Sequence, residues 1–337
     1  MNFELVNCDW FDPNALRLPD YKVGRVYYGS GRSYLRILPD GSLESPFRLY
    51  TSLTTAIDSC QPTEHGLLSW YCEHGLDEAK RLSRLAANYG TLLHKEIGLY
   101  LIMNYYDFDS VQERVAEELS QTNYWQPETD QWAEKLQYDM VAFIAFAQEH
   151  EIKPLGIEYV LLSDKGFGTL IDLVCRLKMP VKGFHGEVYK SGDRKGEPKE
   201  TTVLLEKTAI INFKSGRHGF YRNNGIQIEC EKQLWEENFP DIKIDCAMNW
   251  SPKEWIVEPA WNLRDWSGEI EQAEVDAVMA LAQIRYGNKA LNKKYIDITG
   301  QAFTTRPVAG CISIQTVEEY ATAKYSSLMA PLPAKTD

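Results

Sequence analysis

Two carboxylates and a lysine stand out for their types and their placement at the ends of strand-like runs. Glu158 lies in one such run, Asp172 in the next (Gly168-Thr-Leu-Ile-Asp-Leu173), and Lys214 closes a third (Ile210-Ile-Asn-Phe-Lys-Ser-Gly216). Asp172 sits inside Leu170-Ile-Asp-Leu-Val174, where a buried carboxylate without compensation is costly. Hard divalent cations take oxygen ligands from one or two carboxylates plus water. An ammonium nearby steadies developing phosphate charge or orients the attacking water. Together these residues point to metal-assisted phosphodiester hydrolysis.

The elements that must position them follow from the hydrophobic pattern. Residues 1–50 read as a β-rich extension, with strands at Arg25–Tyr28, Ser33–Leu38 and Ser42–Tyr50 and a hairpin at Pro39-Asp-Gly41. Residues 51–152 read as helical: Thr51 to Thr55 offers N-caps, Leu82, Leu85, Ala86, Tyr89, Leu93 and Ile97 repeat at helical spacing, and Trp132–His150 is amphipathic. Residues 153–330 form the expected core. It has strands at Gly156–Ser163 and Gly168–Leu177, a turn at Asp164–Phe167, and a hairpin insertion over 178–202. A strand at Val203–Phe213 and a helix at Gln227–Asn238 follow, then strands at Asp241–Asn249 and Glu254–Pro259 and a helix at Glu269–Tyr286.

Composition excludes several classes. With 337 residues, 44% of them apolar, the chain can fill a real core. No uncharged apolar run reaches the roughly 18 residues of a membrane span, since Leu92–Tyr106 is broken by His94, Lys95 and Glu96. Glu4, Asp9 and Asp12 stand where a secretory or transit leader would be basic and apolar, so a cytoplasmic location is expected. Seven cysteines without a CxxC pair argue for reduced thiols rather than a disulfide framework or zinc knuckle. The net charge of −12 repels a phosphate backbone in bulk, so any nucleic-acid site must be a local basic groove.

Gly90-Thr-Leu-Leu-His94, Glu158, the Gly-x-x-x-Asp strand ending at Asp172, Lys214 in Lys-Ser-Gly, and Gln227 on the next helix appear in that order. Over roughly Leu49 to Trp255 this series resembles the PD-(D/E)XK nucleases, specifically the RecB-like branch and within it the mitochondrial genome maintenance exonuclease type. The resemblance implies a restriction-endonuclease-like α/β fold, a mixed sheet flanked by helices. It implies Mg²⁺ or Mn²⁺ held by His94, Asp172, the residue at 212 and the Phe213 carbonyl, with Glu158 orienting the attacking water and Lys214 stabilising charge. Gln227 would hold a substrate phosphate or neighbouring nucleotide. The implied function is hydrolysis of DNA, as an exonuclease on single-stranded or frayed ends in recombination, repair or end processing. Relatives with an iron–sulfur cluster need three cysteines close together downstream. Only Cys311 lies there, so no cluster is expected.

Two positions depart from the pattern. Asn212 replaces the second acidic ligand, and Glu231 replaces an aromatic residue. A neutral amide should weaken metal binding, so low activity is expected, with Asn212→Asp raising it. The rival readings are a nuclease-dead DNA-binding or assembly protein and an unrelated metal-binding scaffold. Candidate DNA contacts are Arg217, His218, Tyr221 and Arg222 in the loop after Lys214, flanking Phe220, and more weakly Lys190, Arg194, Lys195 and Lys199 at the hairpin tip. His65, His74, His150 and His185 are read as structural.

Overall fold

The structure is a computed structural model, describing residues 48–287 apart from 62–64, 122–128 and 218, together with 3–6, 10–12, 15–16, 19–28, 31–40, 42, 44 and 306–307. It is a mixed α/β fold: one sheet with helices on both faces and additional N-terminal strands. The elements are β1 (Phe3–Val6), β2 (Trp10–Phe11), β3 (Lys22–Tyr28), β4 (Gly31–Ile37), β5 (Tyr50–Ser52), α1 (Leu53–Cys60), α2 (His65–His74), α3 (Leu76–Met103), α4 (Val111–Gln121) and α5 (Thr129–Glu149). They continue with β6 (Lys153–Ser163), β7 (Phe167–Val188), β8 (Pro198–Phe213), α6 (Arg222–Asn238), β9 (Cys246–Pro252), β10 (Trp261–Asp265), α7 (Gln272–Ala282), a π-helical turn (Gln283–Gly287) and β11 (Arg306–Pro307). Among the described residues no helix is long and apolar enough to cross a membrane.

β7 is the spine of the sheet. Along one edge it pairs antiparallel with β6. Along the other it pairs first with β5, in parallel at Phe167 and Gly168, and from Leu173 onward with β8, antiparallel. Thr169 to Asp172 therefore lie in a fork between two partner strands. β9 joins β8 in parallel, as the crossover through α6 requires, and β10 closes that edge antiparallel. On the other side β4 pairs with β5 and β3 with β4, so the N-terminal strands continue the same sheet.

Each face of the sheet buries its own core. α3, α4 and α5 cover Ile157, Leu173, Cys175, Ile211, Phe213 and Trp250. α1, α6 and α7 cover Tyr159, Leu161, Phe167, Ile171, Val174 and Ile210. In a regular strand residues two apart share a face, yet Ile171 and Leu173 face opposite cores, and so do the paired Tyr159 and Ile157. The inversion falls on Asp172 and Glu158. Glu158 has φ +51°, a left-handed conformation in the middle of a strand, which costs about 1–3 kcal/mol for a non-glycine residue and persists only where its surroundings impose it.

Most expected elements are present, with three corrections. Of the strand expected over 42–50, only Tyr50 is extended; Ser42, Glu44, Arg48 and Leu49 are irregular, and the remaining positions lie outside the described residues. Residues 254–259 form no strand: Ile256 and Val257 are 96% and 85% exposed, and the closing strand is instead Trp261–Asp265. The expected strand over 241–249 begins only at Cys246, because a turn stabilised by Ile242 N–H donating to the Phe239 carbonyl follows α6. The hairpin insertion is observed as a continuation of β7 and β8, paired out to Val188 and Pro198.

α6 packs closely enough that Gly225 has no room for a side chain, since a Cβ would lie 2.6 Å from two carbons of the buried Trp266 indole. Helix propensity favours alanine by about 1 kcal/mol, but overpacking a rigid ring typically costs about 1–3 kcal/mol. Gly225→Ala is therefore expected to lower the urea midpoint rather than raise it.

Candidate functional site

His94, Glu158, Asp172, Asn212, Phe213, Lys214 and Gln227 all line one cavity of about 360 Å³ at the fork of β7. α3 brings His94, β6 and β7 bring the two carboxylates, the end of β8 brings Asn212 and Phe213, and α6 brings Gln227. The spacing Gly90-x-x-x-His94 has a local reason. One helical turn before His94, a Cβ on Gly90 would meet Ser215 Oγ at 3.3 Å, so the glycine lets α3 approach the Lys-Ser-Gly loop after β8.

One ligand atom each from His94, Glu158 and Asp172 lie within 4.8 Å of one another, a grouping able to hold a cation. His94 Nδ1 is 3.4 Å from Glu158 Oε1 and 3.5 Å from Asp172 Oδ1, and Nε2 is 3.2 Å from the Phe213 carbonyl. Burial alone would pull its pKa down, but Asp172 and Glu158 outweigh that and push it up to about 10. Burial, reinforced by Asp172, raises the Glu158 carboxyl above its usual range. The His94 proton and a divalent cation thus compete for the same oxygens. Asp172 is fixed by the Phe213 N–H, which donates to Oδ2 at 2.7 Å. The side chain thereby takes up a main-chain donor at the point where β8 leaves the fork.

The fit to a cation rests on one further atom. Asn212 Oδ1 is buried without a hydrogen-bond partner among the described residues, and the buried Glu158 Oε1 has the His94 ring nitrogen at 3.4 Å. An orphaned buried oxygen is expensive, and that of Asn212, with the Glu158 and Asp172 carboxylates at the same cavity, completes an oxygen-rich donor set suited to Mg²⁺ or Mn²⁺.

Lys214 is positioned from α6: its Nζ donates to Gln227 Oε1 at 3.2 Å, while Gln227 Nε2 donates to Glu231 Oε1 at 2.8 Å. Gln227 thus serves as a link between the lysine and Glu231. Glu231 is 0% exposed, and its other close donors are Thr169 Oγ1 and Asn212 Nδ2, both at 3.5 Å. Burial, with Asp172 adding repulsion, pushes its pKa up to about 8. In metal-free protein the folded state therefore keeps a proton that the unfolded chain releases above about pH 4.5. This contribution to stability is complete below the unfolded value and is lost as pH rises toward 8. The stability difference between Glu231→Gln and the unmodified chain is accordingly expected to shift in favour of the variant from pH 5 to pH 8, read by urea unfolding in EDTA.

The proposed DNA-contact loop stands differently. Arg217 pairs with Asp139 at 2.8 Å and Glu254 at 3.6 Å, and Arg222 is chelated by Glu274. Asp139 is itself buried and bonded by Tyr89 at 2.6 Å. Both guanidinium groups are engaged by protein carboxylates. Tyr221 is 64% exposed at the start of α6, Phe220 is half-buried against the core, and His218 lies outside the described residues. At the hairpin tip Arg194 and Lys199 pair with Glu197 and Glu187. The cations that do line the cavity include Arg25 and Arg32, from β3 and β4. Sequence reasoning missed them because they lie in the N-terminal strands, outside the motif series that begins at Gly90. His150, read as structural, is buried with Nδ1 2.8 Å from the Lys178 carbonyl. No protein-family model and no curated protein matches this chain.

Proposed function

We propose that the chain is a metal-dependent deoxyribonuclease, a divergent relative of the RecB-like PD-(D/E)XK nucleases. The observation that carries this reading is the meeting, in one cavity, of residues from α3, β6, β7, β8 and α6 that occur in the order of that family's motifs. Mg²⁺ or Mn²⁺ held by Asp172, Asn212, His94 and the Phe213 carbonyl would supply Lewis-acid polarisation of the phosphate and a more acidic water. Glu158, its carboxyl raised by burial, accepts a proton from the attacking water and orients it. Lys214, held by Gln227, stabilises charge developing on the phosphoryl oxygens. Arg25 and Arg32 on the cavity wall give an otherwise acidic protein a local cationic path for a DNA strand. The preference for single-stranded or frayed ends follows the resemblance.

The test is digestion of end-labelled single- and double-stranded DNA by the full chain, with Mn²⁺ and with EDTA. Mn²⁺-dependent shortening supports the reading, and the label gives polarity. Salt-sensitive DNA binding without cleavage would favour the nuclease-dead reading, for which Asn212 is the motivating residue. Neither cleavage nor binding would overturn both.

A further inference from the structure

The two positions at which this chain departs from the nuclease pattern touch one another. Asn212 is at the end of β8 and Glu231 on α6, and Asn212 Nδ2 donates to Glu231 Oε2 at 3.5 Å. That contact decides which way the amide points. With its nitrogen turned toward Glu231, the unpartnered Oδ1 is left at the cavity that holds His94, Glu158 and Asp172. Glu231 itself does not line the cavity. It lies behind Thr169, Asn212 and Gln227, fully buried, and its hydrogen-bond donors are a hydroxyl and two amides, all neutral. A buried carboxylate in such surroundings is costly, and an apolar side chain of similar size would be cheaper.

We propose that Glu231 is the positioning residue for Asn212, and that the amide oxygen and the carboxylate behind it act together as one anionic metal ligand. Once a bound cation displaces the Glu231 proton, the negative charge removed from β8 is restored one side chain back on α6. The carboxylate orients the amide and polarises it, so that its carbonyl oxygen becomes a stronger donor toward a cation. This rests on the metal-dependent reading above. It also changes the expectation for Asn212→Asp. With Glu231 in place that substitution sets two carboxylates side by side in a buried site, where both cannot ionise readily. The productive exchange is the double one: Asn212→Asp combined with Glu231→Gln keeps the same hydrogen bond with donor and acceptor interchanged.

The test is calorimetric titration of the full chain, stripped of metal, with Mn²⁺ alone. The chains compared are the unmodified protein, Glu231→Gln, Asn212→Asp, the double variant and Asp172→Asn, each checked for folding by circular dichroism. Glu231→Gln is expected to weaken Mn²⁺ binding about tenfold or more, the scale of losing a residue that orients a ligand. Asn212→Asp alone should bind no better than the unmodified chain, and the double variant should return to near its affinity. Equal affinity in Glu231→Gln and the unmodified chain, or tighter binding by Asn212→Asp alone than by the double variant, would overturn the proposal. If Glu231→Gln does not fold, the comparison of Asn212→Asp with the double variant decides. Failure of the metal reading is a separate result: the unmodified chain would then show no Mn²⁺ binding that Asp172→Asn removes.

Discussion

Asp172→Asn is expected to reduce Mn²⁺-dependent DNA digestion by roughly 10²–10³-fold or more, the scale on which one charge-stabilising group in an active site is felt. Asparagine is chosen because Asp172 has two roles that must be separated. Its Oδ2 accepts the Phe213 N–H at 2.7 Å, and alanine would orphan that buried donor at a cost of about 1–3 kcal/mol. An asparagine carbonyl can still accept the bond and hold the end of β8, while the charge facing His94 and the cavity is gone. The expected result is thus a folded protein, with an unchanged circular dichroism spectrum, that has lost cleavage and Mn²⁺ affinity together. A variant that still digests DNA at the unmodified rate would remove Asp172 from the reaction.

The second large effect is expected far from any substrate, at Arg114. Its guanidinium donates to Glu96 Oε2 at 2.9 Å, to Ser110 Oγ at 2.6 Å and to the Asp107 carbonyl at 2.9 Å, and the Glu96 side chain is only 1% exposed. Arg114→Met strands that carboxylate without its cation, and breaking a buried pair from one side typically costs about 3–5 kcal/mol. Glu96 is two residues beyond His94 on α3, so the pair ties the helix that carries His94 to α4. The loss should appear as a lower urea midpoint. Glu96→Gln combined with Arg114→Met should recover most of it, because the penalty comes from the stranded charge. A single variant as stable as the parent would show that water reaches Glu96.

Local pattern alone drew attention to part of the cavity lining. Asp172 was conspicuous because a carboxylate interrupts an apolar strand, and Lys214 because it follows a strand end, whereas His94 entered only through the resemblance carried by Gly90-Thr-Leu-Leu-His94. The helices over 53–149, the β6–β7 hairpin with its turn at 164–166, and the long extension to Val188 were likewise legible from periodicity and turn residues. These signals are local: burial on one face imposes a period of 2 or 3.6, and a turn imposes glycine or aspartate.

What the tertiary structure decided is partnership. Periodicity reports which side of an element is buried but not against what. It therefore placed a strand at 254–259, where Ile256 and Val257 stand exposed, rather than at Trp261–Asp265, where β9 offers an edge. The place of Arg217 and Arg222 just after Lys214 suggested DNA contacts, and the fold pairs them with Asp139 and Glu274 through contacts 78 and 52 residues distant in the chain. The inverted faces at Glu158 and Asp172 arise from the fork, where β7 changes partners from β5 to β8, and no spacing announces that change. Asn212 and Glu231 each stood in the sequence as a separate departure. That they form one pair follows from the packing of α6 on the end of β8, because a hydrogen bond is set by distance in space and only the fold brings β8 and α6 within it.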